Sequence, residues 1–343
     1  MNKRFSLFVL MILLAAMLSA ASIISSPAAT VNLIRNTAIT MQDLDEEMAR
    51  YEALGIQGVN KTDVLQTLIN NEVFLQGAER DGISISDRQI DSLYAQAKAN
   101  IEAQAGMAIS DAEFEAEVIR QFGTVEAYRE SLKNQMIVQQ YLMQEKSAEL
   151  QNVPAPEESA ISSFYRQNQQ RFFQPENVKL AHIYIPKTDN EADNNEAKAL
   201  LEDVSERINS GAITFEKAVI DYSQDTGSNQ RGGDIGWLTA DNTVARQGWG
   251  DAFCDAVLSM EPGEVSGVLE SNTGYHIVKV SVHNQAKLLG INDPVSPEDS
   301  ATVHDFIYNM LYMQNQQVVM NRALESLIAE LRAEAQINIL YRG

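Results

Sequence analysis

Two histidines, each set inside a short apolar run, constrain this chain more than any other feature. His182 lies in Leu180-Ala-His-Ile-Tyr-Ile185 and His276 in Gly274-Tyr-His-Ile-Val-Lys-Val280. Short runs rich in β-branched and aromatic residues read as strands of a buried sheet. Between them lies Gly232-Gly233-Asp234-Ile235-Gly236-Trp237, whose paired glycines mark a turn needing positive φ or close backbone approach. It is not a phosphate loop, because the spacing and the following Lys-Ser/Thr are missing. A histidine in an apolar strand is most simply a satisfied core residue, and two can hold a sheet by bonding each other. The same pair also suits a polar network beneath a bound peptide, and the residues alone leave both readings open.

The ordered set resembles the parvulin family of peptidyl-prolyl isomerases. Ala181-His182-Ile183, Phe215 with Ala218, Gly232 to Trp237, and Gly274-Tyr275-His276-Ile277 stand in that family's order and spacing over about a third of the chain. The resemblance implies a β-α-β-α-β-β domain over residues 177–284 with a shallow proline pocket. It implies a catalytic set of His182, His276, Asp225 and Thr273. Asp225 stands where the family has Cys or Asp, and Thr273 is the hydroxyl expected beside the second histidine. Ile235, Trp249 and Phe253 would line the substrate pocket. Trp249 departs from the smaller apolar residue of many relatives. Asp225 is not a thiol, which argues against a required cysteine adduct. The loop Pro186 to Asp193 has one lysine among acids, which disfavours a phosphorylated substrate.

The reaction so implied needs no proton abstraction. The X–Pro amide rotates slowly because its C–N bond has partial double-bond character, a barrier of roughly 18–20 kcal/mol. A site therefore needs an apolar seat for the ring and polar groups that favour the twisted amide over the planar one. Each ~1.36 kcal/mol of selective stabilisation is tenfold in rate.

Charge narrows the partners. The net charge is −21 over 343 residues, with no basic stripe, so nucleic acid and anionic membrane surfaces are poor partners. Four scattered histidines and the single Cys254 offer no metal-ligand spacing and no intramolecular disulfide, so no metal or cofactor is expected. Cys254, next to Phe253, reads as a buried inert thiol. At the N-terminus, Lys3-Arg4 precede an uncharged run from Phe5 to about Ile24, followed by small residues to Ala29. That is the layout of a secretory signal peptide, with an uncleaved anchor as the alternative. Either places the protein outside the cytoplasm, the periplasm first, with membrane contact only through this segment.

From Thr30 to about Glu149 the chain reads as helices. Thr40 with Asp43, Ser86 with Gln89, and Ser110 with Glu113 repeat one N-terminal capping scheme. Pro154 and Pro156 mark a linker, with a short helix to about Gln170. Ser296-Pro297-Glu-Asp299 reads as the start of a long helix to about Ala335, and Ile337 to Tyr341 as a closing strand.

This layout is also similar to the SurA and PrsA class of extracytoplasmic chaperones, carried by Leu68 to Leu75, Gly82 to Asp87 and Tyr128 to Leu132. That resemblance implies an α+β chain: one discontinuous helical chaperone domain with one parvulin-like domain inserted. Val31 to Ile34 would pair with Ile337 to Leu340. The expected division is 1–29 signal or anchor, 30–153 helical domain, 154–176 linker and helix, 177–284 isomerase, and 285–343 returning to the N-terminal domain. The implied function is a foldase that isomerises X–Pro bonds and holds unfolded exported proteins. The alternative is a holdase whose parvulin unit only binds peptides. Met48, Met136 and Met143 are either core or the lining of a client groove.

Overall fold

The structure is a computed structural model describing residues 25–53 and 55–342; the expected signal or anchor run lies outside the described residues. In chain order the elements are β1 (Pro27–Asn32), β2 (Asn36–Thr40), α1 (Met41–Ala53), α2 (Lys61–Arg80), α3 (Asp87–Ala105), α4 (Asp111–Phe122), α5 (Val125–Gln151) and α6 (Glu158–Gln167). There follow β3 (Phe173–Gln174), β4 (Asn177–Pro186), α7 (Glu191–Asn209), α8 (Phe215–Tyr222), β5 (Asp234–Thr239), α9 (Thr243–Trp249) and α10 (Asp251–Leu258). The chain closes with β6 (Leu269–Glu270), β7 (Gly274–Asn284), β8 (Lys287–Leu288), α11 (Val303–Glu334) and β9 (Gln336–Ile339). They form two compact units: one from residues up to Pro156 together with Met310 onward, the other from Glu157 to Asn309.

In the first unit the capping scheme is present. The Thr40 N–H donates to Asp43 Oδ2 at 2.8 Å and the Asp43 N–H returns to Thr40 Oγ1 at 3.1 Å, with Ile39 and Leu44 fully buried on either side. The Ser110 and Glu113 box is likewise reciprocal. The unit is not all helix, however. It opens on a hairpin, and β1 pairs antiparallel with both β2 and β9, with Val31 opposite Ile337. The hairpin turn depends on a distant residue. Gln76 Oε1, wholly buried in α2, accepts N–H bonds from Leu33 and Ile34 at 3.0 Å and from Arg35 at 3.3 Å. Buried backbone donors must find an acceptor, and this one lies some forty residues away, beyond local sequence patterns.

The long helix does not begin at Ser296-Pro297. It begins at Val303, capped by Thr302, whose Oγ1 accepts the Asp305 N–H at 3.1 Å while Asp305 Oδ2 accepts the Thr302 N–H at 2.9 Å. The N–H groups of Val303 and His304, orphans at any helix start, donate to the carbonyls of Asp293 and Ile291. Pro297 sits instead in a loop closed by Val295 N–H on Ala301 O.

The second unit is built on an antiparallel sheet ordered β5-β4-β7-β6. Side chains alternate across a strand. Ile183, Ile185, Tyr275 and Ile277 therefore meet Leu201, Val204, Phe215 and Ala218 of α7 and α8. Val178, Leu180, Val278 and Val280 face the other way, onto Phe253, Cys254, Val257 and Leu258 of α10. With α7–α8 and α9–α10 taken as single layers, the order reads β-α-β-α-β-β.

Candidate active site

The strand period that buries Leu180 and Val278 also directs His182, Tyr184 and His276 to the α10 face. Tyr184 and His276 are register partners across β4 and β7, which brings His182 onto the diagonal. The three rings form one cluster. Tyr184 stacks on His182 with centroids 5.5 Å apart, and His276 lies 4.8 Å from Tyr184 and 5.2 Å from His182. Phe253 closes the cluster at 4.6 Å from His276, with Trp249 edge-on to it at 5.6 Å. Ile235 packs half-buried against the same group.

Two close backbone approaches make this possible. Gly233, at φ +80°, lies so near β4 that a Cβ would stand 2.5 Å from the His182 carbonyl oxygen. At Gly274 a Cβ would stand 2.3 Å from the Ile185 carbonyl oxygen. The loop carrying Asp225 is pinned to β4 as well, because the Gln224 N–H donates to Tyr184 O at 2.7 Å.

A single polar chain runs through the cluster. His182 Nε2 is 3.0 Å from Asp225 Oδ2, His182 Nδ1 is 3.2 Å from His276 Nδ1, and His276 Nε2 is 2.8 Å from Ser271 Oγ. The tautomers follow from the ends. Burial pushes the Asp225 carboxyl up, but the Ser228 hydroxyl, His182 and the Gly227 N–H outweigh it and hold it below its usual range. An ionised carboxylate only accepts, so His182 Nε2 carries the hydrogen. Burial also lowers the His182 pKa against the pull of Asp225, so the ring is neutral and its Nδ1 accepts. His276 Nδ1 must then donate, and His276 Nε2 accepts from the Ser271 hydroxyl. Burial first, then the neighbouring His182 ring and Lys187, lower His276 to about 3. The chain Ser271 → His276 → His182 → Asp225 is therefore polarised one way, with no positive charge on either ring.

The structure brings His182, His276, Asp225, Ile235, Trp249 and Phe253 together. Thr273 is displaced from its expected place. The hydroxyl on His276 belongs to Ser271, and Thr273 is exposed, its Oγ1 3.1 Å from Ser271 Oγ. The reason is the turn before β7: the Thr273 and Gly274 N–H groups both donate to Ser271 Oγ at 3.1 Å, folding that side chain inward. Sequence reasoning also missed Tyr184, although a period of two from His182 marks it. Cys254 is fully buried, and burial pushes its thiol up. Among the described residues no cluster of potential metal ligands occurs. Of the three methionines, Met48 packs against the first unit's core, Met136 is half-buried and Met143 is 53% exposed.

Comparison with known proteins adds two family matches. Residues 2–142 match the SurA-like N-terminal domain and residues 163–284 the PPIC-type PPIase domain. Among relatives, the chaperone SurA of Alkalilimnicola ehrlichii is 25% identical over 283 residues, 78% of this chain and 61% of that protein. The foldase protein PrsA of Clostridium botulinum is 26% identical over 267 residues, 77% of this chain and 70% of that protein. The chain spans 61%, 46%, 59% and 64% of the length of four SurA relatives. A solved SurA-like chaperone of Campylobacter jejuni is similar at 18% identity and TM-score 0.35, covering 88% of this chain and 97% of that one.

Proposed function

From a chain that joins a SurA-like N-terminal domain to a PPIC-type PPIase domain, we propose a peptidyl-prolyl cis–trans isomerase and chaperone that assists the folding of exported proteins. The carrying observation is the neutral, one-way relay from Ser271 to Asp225 beside the Trp249, Phe253 and Ile235 wall. The apolar wall seats the proline ring. The relay fixes both imidazoles in one tautomer and leaves a half-exposed Asp225 carboxylate at its end. Planar amide resonance places negative charge on the carbonyl oxygen. A carboxylate held near that oxygen disfavours the planar form more than the twisted one, which lowers the barrier without a nucleophile.

In this reading residues 177–284 isomerise and the helical domain holds unfolded or partly folded exported chains, with residues 30–153 and the returning chain from Met310 onward as its parts, the expected 285–309 portion falling in the second unit. Residues 1–29 direct export or anchor the chain, and the protein works in the periplasm. Among the described residues no helix is long and apolar enough to cross a membrane.

Exchange NMR on short X–Pro peptides with the full chain tests the proposal. The chain should accelerate cis–trans exchange, and Asp225→Ala and Trp249→Ala should each lower kcat/KM by about tenfold or more, a loss of ~1.4 kcal/mol. A folded chain that accelerates no peptide, whatever X, would sink the isomerase reading.

A further inference from the structure

The long helix α11 carries one seam with two fates. Met310, Met313, Gln317, Met320, Leu324, Leu327 and Leu331 recur at alternating steps of three and four, the spacing of one helix face. Leu324, Leu327 and Leu331 are buried at 5%, 3% or 2% exposure in the first unit's core. The same face continues toward the N-terminus with Met320 at 42% and Met313 at 61% exposed. No residue from 310 to 322 belongs to that core. Nor does any Asp, Glu, Lys or Arg occur from Phe306 to Asn321, although 21% of the chain is charged.

We propose that this half of the seam, Met310 to Met320, left uncovered among the described residues, is a transient docking strip for short, uncharged, apolar segments of an unfolded polypeptide. The inference rests on the chaperone reading above and places its holding surface on α11. Three observations select this occupant. The strip continues a packed seam, so its geometry already suits apolar side chains inserting between its own. With no charge along it, it has nothing to pair with an ionic group, and a charged segment would lose hydration there without compensation. It is also small: its exposed apolar side chains are few, chiefly Met313 and Met320, against the ~800 Å² per partner of a stable interface, which disfavours a second copy of the chain. Methionines, flexible and polarisable, accommodate varied side chains.

The test uses the full chain with Met313→Glu and Met320→Glu combined, both at exposed positions. Circular dichroism and X–Pro exchange check that the variant is folded. The readout is the concentration needed to suppress aggregation of thermally unfolding citrate synthase. It should rise about tenfold, while the isomerase rate stays at the wild-type level and Val318→Glu, exposed on another face of the helix, leaves suppression unchanged. A photo-crosslinker at Met313 should capture an uncharged apolar peptide and not the same peptide carrying two glutamates. Unchanged suppression by the double variant overturns the strip, as does crosslinking of the chain to its own copy. A wild-type chain that isomerises peptides but suppresses nothing overturns the strip and the chaperone reading together. A chain that isomerises nothing, yet loses suppression in the double variant, sinks the isomerase and leaves the strip standing.

Discussion

Single atoms settle which hydroxyl serves the histidine pair. Ser271 donates to His276 Nε2 and accepts two backbone N–H groups, whereas the Thr273 hydroxyl meets Ser271 Oγ and not the His276 ring. Ser271→Ala should therefore lower kcat/KM about tenfold through a misoriented His276, and Thr273→Ala should change it less than about twofold, read by peptide exchange kinetics. The relay also sets a pH dependence. His276 is held at about 3 in the fold against 6.5 when unperturbed. As pH falls below 6.5 the unfolded chain takes up a proton that the folded ring refuses, so stability falls, until near pH 3 the folded ring protonates too. The slope approaches ~1.4 kcal/mol per pH unit in that window. NMR titration should find the His276 ring still neutral at pH 5. A ring that titrates near 6.5 would remove the one-way relay.

At the scale of elements, short-range signals proved reliable where the partner was close in sequence. The Thr40 and Ser110 capping boxes sit where their sequences place them, since a cap joins residues only three apart. Two such signals competed before α11, and Thr302 prevailed over Ser296 because upstream carbonyls receive the first helical N–H groups there. Thr302→Ala should cost about 1 kcal/mol in urea unfolding and Ser296→Ala less than about 0.5. Equal effects would mean that the cap contributes nothing there. The β1–β2 hairpin was illegible for the opposite reason: its turn is closed by Gln76, far along the chain and unmarked by any motif.

Across the whole molecule, each unit has its own core, and the first is closed by the two ends of the described chain, β1 against β9. Truncation after Glu334 should lower the melting temperature of the first unit by several degrees, since a few kcal/mol is a large part of a domain's stability. X–Pro exchange by the second unit should persist, and its loss would show that the units do not function separately. The sequence by itself determined the strand identity of the two histidine runs and the Gly232-Gly233 turn, which are written in periodicity and in glycine's freedom. The α+β class and the residues expected to line the pocket followed from the ordered resemblance to known families rather than from any local pattern. Only the tertiary structure decided that Ser271 rather than Thr273 meets His276, that Tyr184 joins the rings, that Gln76 holds the hairpin, and that half of the α11 seam is left uncovered among the described residues. Those outcomes depend on which groups the folded chain brings within hydrogen-bond or van der Waals reach. Contacts between residues far apart in sequence leave no local periodicity to read.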